Sequence, residues 1–424
     1  MKLPSLRALL STSLLSAALA APLAAGCNVE SNASDEEDLT AKASRVQLND
    51  VSVLFPLAKT QAELDGGYLG ADAEGVGGAL LPESIYEKAT GIQPDHHTGP
   101  GPIGSDPTLQ YANLKLVAFR IDPCFANVGP ITDPSTCKNQ LRLVFQALSF
   151  DQASGTTALD GAVHAFYSLS REELTGLVDD VIALRKKQGG AKDLGALAVH
   201  PLLAKQGLLG GEAKGLEKLI LAHAGAQNLT RFTMFVSTNL QTVWTFQGFD
   251  IDAKGKSTAM EIPTLPAHTT SVRYFVGFSQ GLAGDFTPAT KADDDMQILG
   301  NLSKAKAASK KDQQAAFDAA LRIENPDFHS PNTIDCASCH VAGPGRVITG
   351  AALGLSATGN DNAFEPDGKF VKTKDLAQKT KVDMSNGLNV HAFSYKNAQP
   401  MIAMRTINET AGVVAYLNTE MKKK

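Results

Sequence analysis

Short apolar, β-branched and aromatic runs recur along the first two thirds of the chain, set off by glycine, proline and asparagine. Residues 51–57, 114–121, 140–148, 163–169, 231–236, 243–249 and 272–278 have the length and composition of strands. The last alternates Val272, Tyr274, Val276 and Phe278 against smaller or polar residues, Phe275 apart. Short turns between neighbours predict antiparallel pairing. The Gly-rich stretch from Gly66 to Gly78 reads as loop.

Helical spacing appears in several places. Ser170-Arg171-Glu172-Glu173 forms a capping box, followed by an apolar stripe of Leu174, Leu177, Val178, Val181 and Ile182. Lys186 and Lys187 suit the negative end of that helix, and Gly189 ends it. A shorter helix carries Leu216, Leu219 and Ile220, with His223 on the same stripe and Gly225 beyond. From about Lys291 the composition turns to Ala, Lys, Asp and Gln. Asp293-Asp294-Asp295 reads as the acidic first turn of a helix. Ile298 with Leu302, then Ala316, Phe317, Ala320 and Leu321, give stripes that Asn325-Pro326 stops. A last helix over 408–421 carries Val413, Val414, Tyr416 and Leu417. The expected fold class is α+β: a β-rich antiparallel domain over 46–290 with a helical insertion near 170–225, then a mainly α-helical domain over 291–424. At 424 residues, two domains are the natural expectation.

The N-terminus adds a location. Lys2 and Arg7 precede an apolar stretch over 8–25, the pattern of a secretory signal. It ends Leu23-Ala24-Ala25-Gly26-Cys27, which resembles the lipobox of bacterial lipoproteins, although Ala24 stands where leucine is usual. The resemblance implies that residues 1–26 are removed and that Cys27 is lipidated and anchors the chain to a membrane. Residues 27–45 begin with a polar, acidic run lacking a packable face and read as a disordered tether. Asn28 after Cys27, by resemblance to sorting in enteric bacteria, points to the outer membrane of the cell envelope. Without residues 1–26 the count is 37 basic against 44 acidic, so the net charge moves from −5 to −7. An acidic chain without basic blocks excludes nucleic acid as the expected partner.

One constellation carries chemistry: Cys336-Ala337-Ser338-Cys339-His340. Two thiols spaced by two residues can each add to one vinyl group of a porphyrin, and the next histidine then lies beneath the iron. The last quarter of the chain resembles the c-type cytochromes. The resemblance implies one haem c, held covalently by Cys336 and Cys339, with His340 as the proximal ligand. Met401, after Pro400 and before the last helix, is the first candidate for the sixth ligand and His329 the second; Met404 and His391 are further possibilities. Two features depart from those cytochromes. The helix bearing Phe317 lies almost twenty residues before the cysteines, and Pro344 is closer to the histidine than usual. A structural zinc site would need four ligands, and no second C-x-x-C exists, although His329 and His391 are available. A redox dithiol belongs on a strand-to-helix turn of a βαβ unit, which is absent before Cys336. Gly343-Pro344-Gly345 follows at once, then a long polar region to about residue 387.

With Cys27, Cys336 and Cys339 assigned, Cys124 and Cys137 remain, and an oxidising compartment allows them to pair. A bridge there closes a loop of roughly 15 residues, worth about 3 kcal/mol in the chain-entropy picture. His96-His97 stands among prolines and glycines and reads as loop. Asp250, Asp252, Gly255 and Glu261 imitate a calcium loop, but Lys254 occupies a ligand position, so a hairpin turn is expected. No phosphate-binding loop, dinucleotide fingerprint or nucleophile elbow occurs. The expected function is electron transfer by a membrane-anchored haem lipoprotein with an unidentified redox partner protein, residues 46–290 serving as scaffold or docking surface. The alternatives are a haem enzyme or gas or peroxide sensor with an open iron position, and a structural surface lipoprotein.

Overall fold

The computed structural model describes residues 45–91, 110–124, 137–189, 193–237, 243–262, 265–269, 272–277, 281–283, 294–330, 333–380 and 390–420. The signal segment, Cys27, most of the acidic tether and the His96-His97 pair lie outside the described residues. The protein mixes α and β structure around one large antiparallel sheet. Its strands are β1 (Ser52–Leu54), β4 (Leu114–Asp122), β5 (Asn139–Asp151), β6 (Gly155–Ala158), β7 (Gly161–Leu169), β8 (Leu229–Ser237), β9 (Val243–Ile251), β10 (Ser257–Ala259), β13 (Val272–Gly277) and β14 (Gly281–Ala283). Small two-stranded pairs are β2 (Glu74–Gly75) with β3 (Gly78–Ala79), β11 (Glu261–Ile262) with β12 (Leu265–Thr269), and β15 (Phe393–Lys396) with β16 (Gln399–Ile402).

The large sheet runs β1-β4-β5-β7-β8-β9-β13-β14, with β6 beside β5 and β10 beside β9. Register places Val144, His164, Thr233 and Gly248 in one row across four strands. Arg120, Arg142, Phe166, Arg231 and Asp250 form the adjacent row, two residues along. Because side chains alternate across a strand, both rows share one face. The opposite face is closed by the segment around residues 80–91 and by helices. Tyr167 donates its hydroxyl to the Leu80 carbonyl at 2.7 Å, Tyr86 packs on Phe232, and the helix Arg171–Lys187 lies over β5 and β7. Ser170 caps that helix as its sequence predicts: its Oγ accepts from the Glu173 N–H at 3.1 Å, and the Glu173 carboxylate accepts from the Ser170 N–H at 2.7 Å.

The described residues of 294–420 cover the first face. The hairpin β15–β16 and the helix Met404–Glu420 are fastened to the sheet by side chains from distant parts of the chain. Ser52 Oγ and Thr410 Oγ1 are 2.7 Å apart, Arg120 donates to Glu409 at 2.9 Å, and Asn418 clasps the Val46 backbone through both its amide groups. Buried apolar residues from Val46 to Leu417 form one continuous cluster, so packing is unbroken across the boundary expected near residue 290. Coverage on both faces explains why β5 and β7 are buried almost throughout, with less alternation than a half-exposed strand shows.

Three local expectations are corrected. The strand expected over 51–57 is confined to Ser52–Leu54, after a helical turn Leu48–Val51; Pro56, lacking an N–H, cannot extend the ladder. Asp294 does not open a helix. It is 1 % exposed and accepts hydrogen bonds from Arg322 Nε at 2.6 Å and His329 Nε2 at 2.8 Å. The last helix begins at Met404, four residues earlier than expected, and Met401 is in β16 rather than a loop. The helix that starts at Cys336 was not expected from the sequence, and Gly343-Pro344-Gly345 does not end it. That helix, Cys336–Pro344, continues through a π-helical segment, Gly345–Gly350. The wider π register accommodates the N–H that Pro344 lacks, and glycines permit close approach. A Cβ on Gly350 would stand 2.6 Å from the Phe317 ring. The Asp252–Gly255 turn between β9 and β10 is the expected hairpin.

Candidate functional site

Asp335 starts the motif helix. Its backbone is extended, and its carboxylate accepts from the Ser338 N–H at 2.8 Å and from the Ser338 hydroxyl at 2.5 Å. Cys336, Cys339 and His340 then fall at i, i+3 and i+4, so one helical face presents all three. That face packs toward β9. Both thiols and the imidazole line one cavity. The two cysteines are not bonded to each other.

The opposite wall comes from the sheet. Arg120, Arg142, Val144, His164, Phe166, Arg231 and Thr233 belong to the two rows described above; Ile334, Phe393, Arg405, Thr406 and Glu409 close the sides. The wall thus has an apolar centre and a cationic border. Acids answer the arginines: Glu409 lies 2.9 Å from Arg120, Asp122 lies 2.7 Å from Arg142, and Asp250 lies 2.7 Å from Arg231. Arg142 also lies over the Phe166 ring, 4.8 Å from its centre, while its Nε is buried with no hydrogen-bond partner among the described residues. That orphaned donor faces the requirement that buried polar groups be paired.

His340 is held firmly. Its Nδ1 stands 2.5 Å from the Val390 carbonyl oxygen, so Nδ1 carries the proton and donates, which leaves the Nε2 lone pair available. Phe235 and Phe246, each with its ring centre 5.2 Å away, flank the imidazole. Burial holds the imidazole down at about 4, against a smaller upward pull from the Val390 carbonyl, so it is neutral at ordinary pH. Burial also pushes the Cys336 thiol up to about 12, with Asp335 and Cys339 adding to it, and raises Cys339. Thiols of this kind lack the low-pKa thiolate of an exchange dithiol.

The other sequence candidates are dispersed. Met401 is buried in β16 opposite Ser394 and does not line the cavity. His329 is turned away, with Nε2 on Asp294 at 2.8 Å and Nδ1 on Thr333 Oγ1 at 3.2 Å. His391 has Nε2 on Asp160 at 2.8 Å and Nδ1 on Ser394 Oγ at 2.6 Å. Cys124 and Cys137 stand at disulfide distance with Cα atoms 5.2 Å apart, joining the ends of β4 and β5. Sequence reasoning overlooked His164, which the fold brings to the cavity 6.4 Å from His340, ring centre to ring centre. Its only sequence signal was a titratable residue inside an apolar strand, Ala162-Val163-His164-Ala165-Phe166. Burial, then Arg142 and His340, hold His164 well below the ordinary imidazole range.

The chemistry of these side chains is what a c-type haem would require. An apolar macrocycle with two carboxylates suits an apolar wall bordered by arginines, the two thiols face the same cavity as His340, and His340 offers Nε2. Among the described residues, no three His, Cys, Asp or Glu side chains converge to hold a metal ion alone, as a zinc site would require. Among the described residues, no helix is long and apolar enough to cross a membrane. Comparison of the chain with protein-family models, curated proteins and solved structures finds no match to any of them.

Proposed function

We propose that the chain is a lipid-anchored c-type haem protein of the cell envelope that transfers electrons. The observation that carries this reading is the placing of Cys336, Cys339 and His340 on one helix face, toward a single cavity, with the His340 tautomer fixed by the Val390 carbonyl. When bound, the haem supplies a one-electron iron couple whose potential depends on its axial ligands and burial.

The chain's own residues do the rest. Cys336 and Cys339 tether the group, and His340 binds through Nε2. Phe235 and Phe246 pack about that imidazole and exclude water from it. Arg120, Arg142 and Arg231 offset carboxylate charge at the cavity border. Strands β4, β5, β7 and β8 form the wall opposite the motif, so the sheet takes part in the site and is not a detached scaffold. A cytochrome-like C-terminal module, in this reading, is completed by the sheet on which it lies. The lipid anchor at Cys27 rests on the signal and lipobox pattern.

The test is expression with the machinery that attaches haem covalently outside the cytoplasmic membrane. Haem should stay with the unmutated polypeptide after denaturation in acid acetone, and Cys336→Ala with Cys339→Ala should release it. Loss of haem from the unmutated protein overturns the reading.

A further inference from the structure

We propose that His164 is the second axial ligand to the iron, opposite His340; this rests on the haem reading above. A helix carrying both thiols and the proximal histidine fixes one side of the macrocycle, so the ligand on the other side must come from the facing wall. The facing wall is the sheet, and its row Val144, His164, Thr233 and Gly248 sets one imidazole among smaller side chains. Both His164 and His340 line the same cavity.

The separation fits. Metal–imidazole bonds of about 2 Å put two rings on opposite sides of one ion with centres about 6 Å apart. The ring centres of His164 and His340 are 6.4 Å apart. The rings are inclined by 41°, which ligation tolerates because each imidazole can turn about its own metal–nitrogen bond.

Hydrogen bonding separates His164 from the other histidines of the interior. His329 and His391 have both ring nitrogens engaged, and His200 Nδ1 accepts from the Leu203 N–H. Among the described residues His164 forms no hydrogen bond; its close partners are rings and like charges. A half-buried imidazole at the cavity wall with no hydrogen bond keeps a ring nitrogen available to a ligand. The remaining side chain of the cavity with a ligating sulfur besides the cysteines is Met260, and it is the direct competitor.

The experiment compares the full-length haem-loaded protein with His164→Ala, His164→Met and Met260→Ala. It reads covalent haem after denaturation, the spin state and near-infrared spectrum of the oxidised form, and carbon monoxide uptake by the reduced form. The unmutated protein should be low-spin, lack the sulfur-to-iron band and take up carbon monoxide slowly. His164→Ala should keep covalent haem, become high-spin and bind carbon monoxide at least tenfold faster. His164→Met should remain low-spin with a raised potential and gain the sulfur band. Covalent haem with an unchanged spin state in His164→Ala, or a sulfur band in the unmutated protein that Met260→Ala or Met401→Ala removes, overturns the assignment while the haem reading stands. Should His164→Ala fail to accumulate, the unmutated protein decides: a high-spin spectrum or rapid carbon monoxide binding overturns the assignment. Absence of covalent haem from the unmutated protein overturns both.

Discussion

Gln146 and Tyr395 hold each other as two strands would. The Gln146 side chain donates to the Tyr395 carbonyl at 2.9 Å, and the Tyr395 N–H donates back to Gln146 Oε1 at 2.8 Å. One amide side chain on β5 thereby satisfies both backbone groups of a residue 249 positions away, and it reaches the Gly161 carbonyl as well. Tyr395 completes the clasp by donating its hydroxyl to the Phe55 carbonyl at 2.6 Å. This junction fixes β15–β16 over the cavity wall, and Val390, just before that hairpin, orients His340.

Replacing Gln146 with Leu leaves buried backbone groups unpaired, at about 1–3 kcal/mol each. Gln146→Leu should lower unfolding free energy by about 2–4 kcal/mol in urea titrations. Glu at the same position retains the acceptor but loses the donor, and should fall between Leu and the unmutated protein. Equal stability of the Leu variant would refute the role assigned to the clasp.

Gly350 meets the Phe317 ring where a Cβ would be 2.6 Å from one ring carbon and 2.7 Å from another. Gly350→Val should therefore cost about 1–3 kcal/mol from overpacking. Phe317→Leu removes part of the obstruction, so adding it to Gly350→Val should cost less than the sum of the single changes. Additive losses in a double-mutant cycle would show that the contact does not limit the packing.

Much of this architecture was readable in advance. The strand runs and the Ser170 capping box are local signals, and the structure has them in strands and a helix as expected; the spacing of Cys336, Cys339 and His340 was legible too, but not the helix that carries it. Non-local relationships were not readable. Pro344 looks like a terminator until Gly345 and Gly350 are seen to admit a π turn beside Phe317. Asp294 looks like part of a helix's acidic first turn until Arg322 and His329 fold back onto it. His164 is a single polar residue in an apolar strand, and only the sheet order, with β7 between β5 and β8, puts it across from His340.

Acid should weaken the fold partly through His200. Burial first, then Arg185, holds its imidazole down at about 4. A base with a folded value below its unfolded value contributes stability fully above the unfolded value of about 6.5. That contribution is lost as pH falls from there toward 4. A shift of this size corresponds to about 3 kcal/mol as an upper order of magnitude. Asn can still cap the helix Pro201–Gln206 that His200 begins. Unfolding free energies of the unmutated protein and His200→Asn should therefore converge as pH falls from 7 to 4.5. Parallel curves would exclude His200 as a source of the acid dependence.

The lipid anchor has a separate test. Cys27→Ser should move the protein from the membrane fraction to the soluble envelope fraction without altering the haem spectrum. Unchanged membrane association would remove the anchor from the proposal and leave the haem site intact.

Arg142 should tune the site's potential. Its guanidinium lies against the Phe166 ring, its terminal nitrogen is 2.7 Å from Asp122, and its Nε has no hydrogen-bond partner among the described residues. A fixed cation at the cavity wall favours the reduced, less positive state of a bound iron. At an effective dielectric near 20, a unit charge within roughly 10 Å is worth about 1–2 kcal/mol, and Asp122 cancels part of it. Arg142→Gln should thus lower the reduction potential by an amount on the order of 1 kcal/mol, whereas Asp122→Asn should raise it. Arg142→Lys keeps the charge but not the planar stacking on Phe166, so its potential should stay near that of the unmutated protein even if stability declines. Opposite shifts for Arg142→Gln and Asp122→Asn, insensitive to added salt because the pair is enclosed, are the expected signature in a redox titration. Shifts of the same sign would mean that both changes act by loosening the wall, and the electrostatic role of Arg142 would be lost.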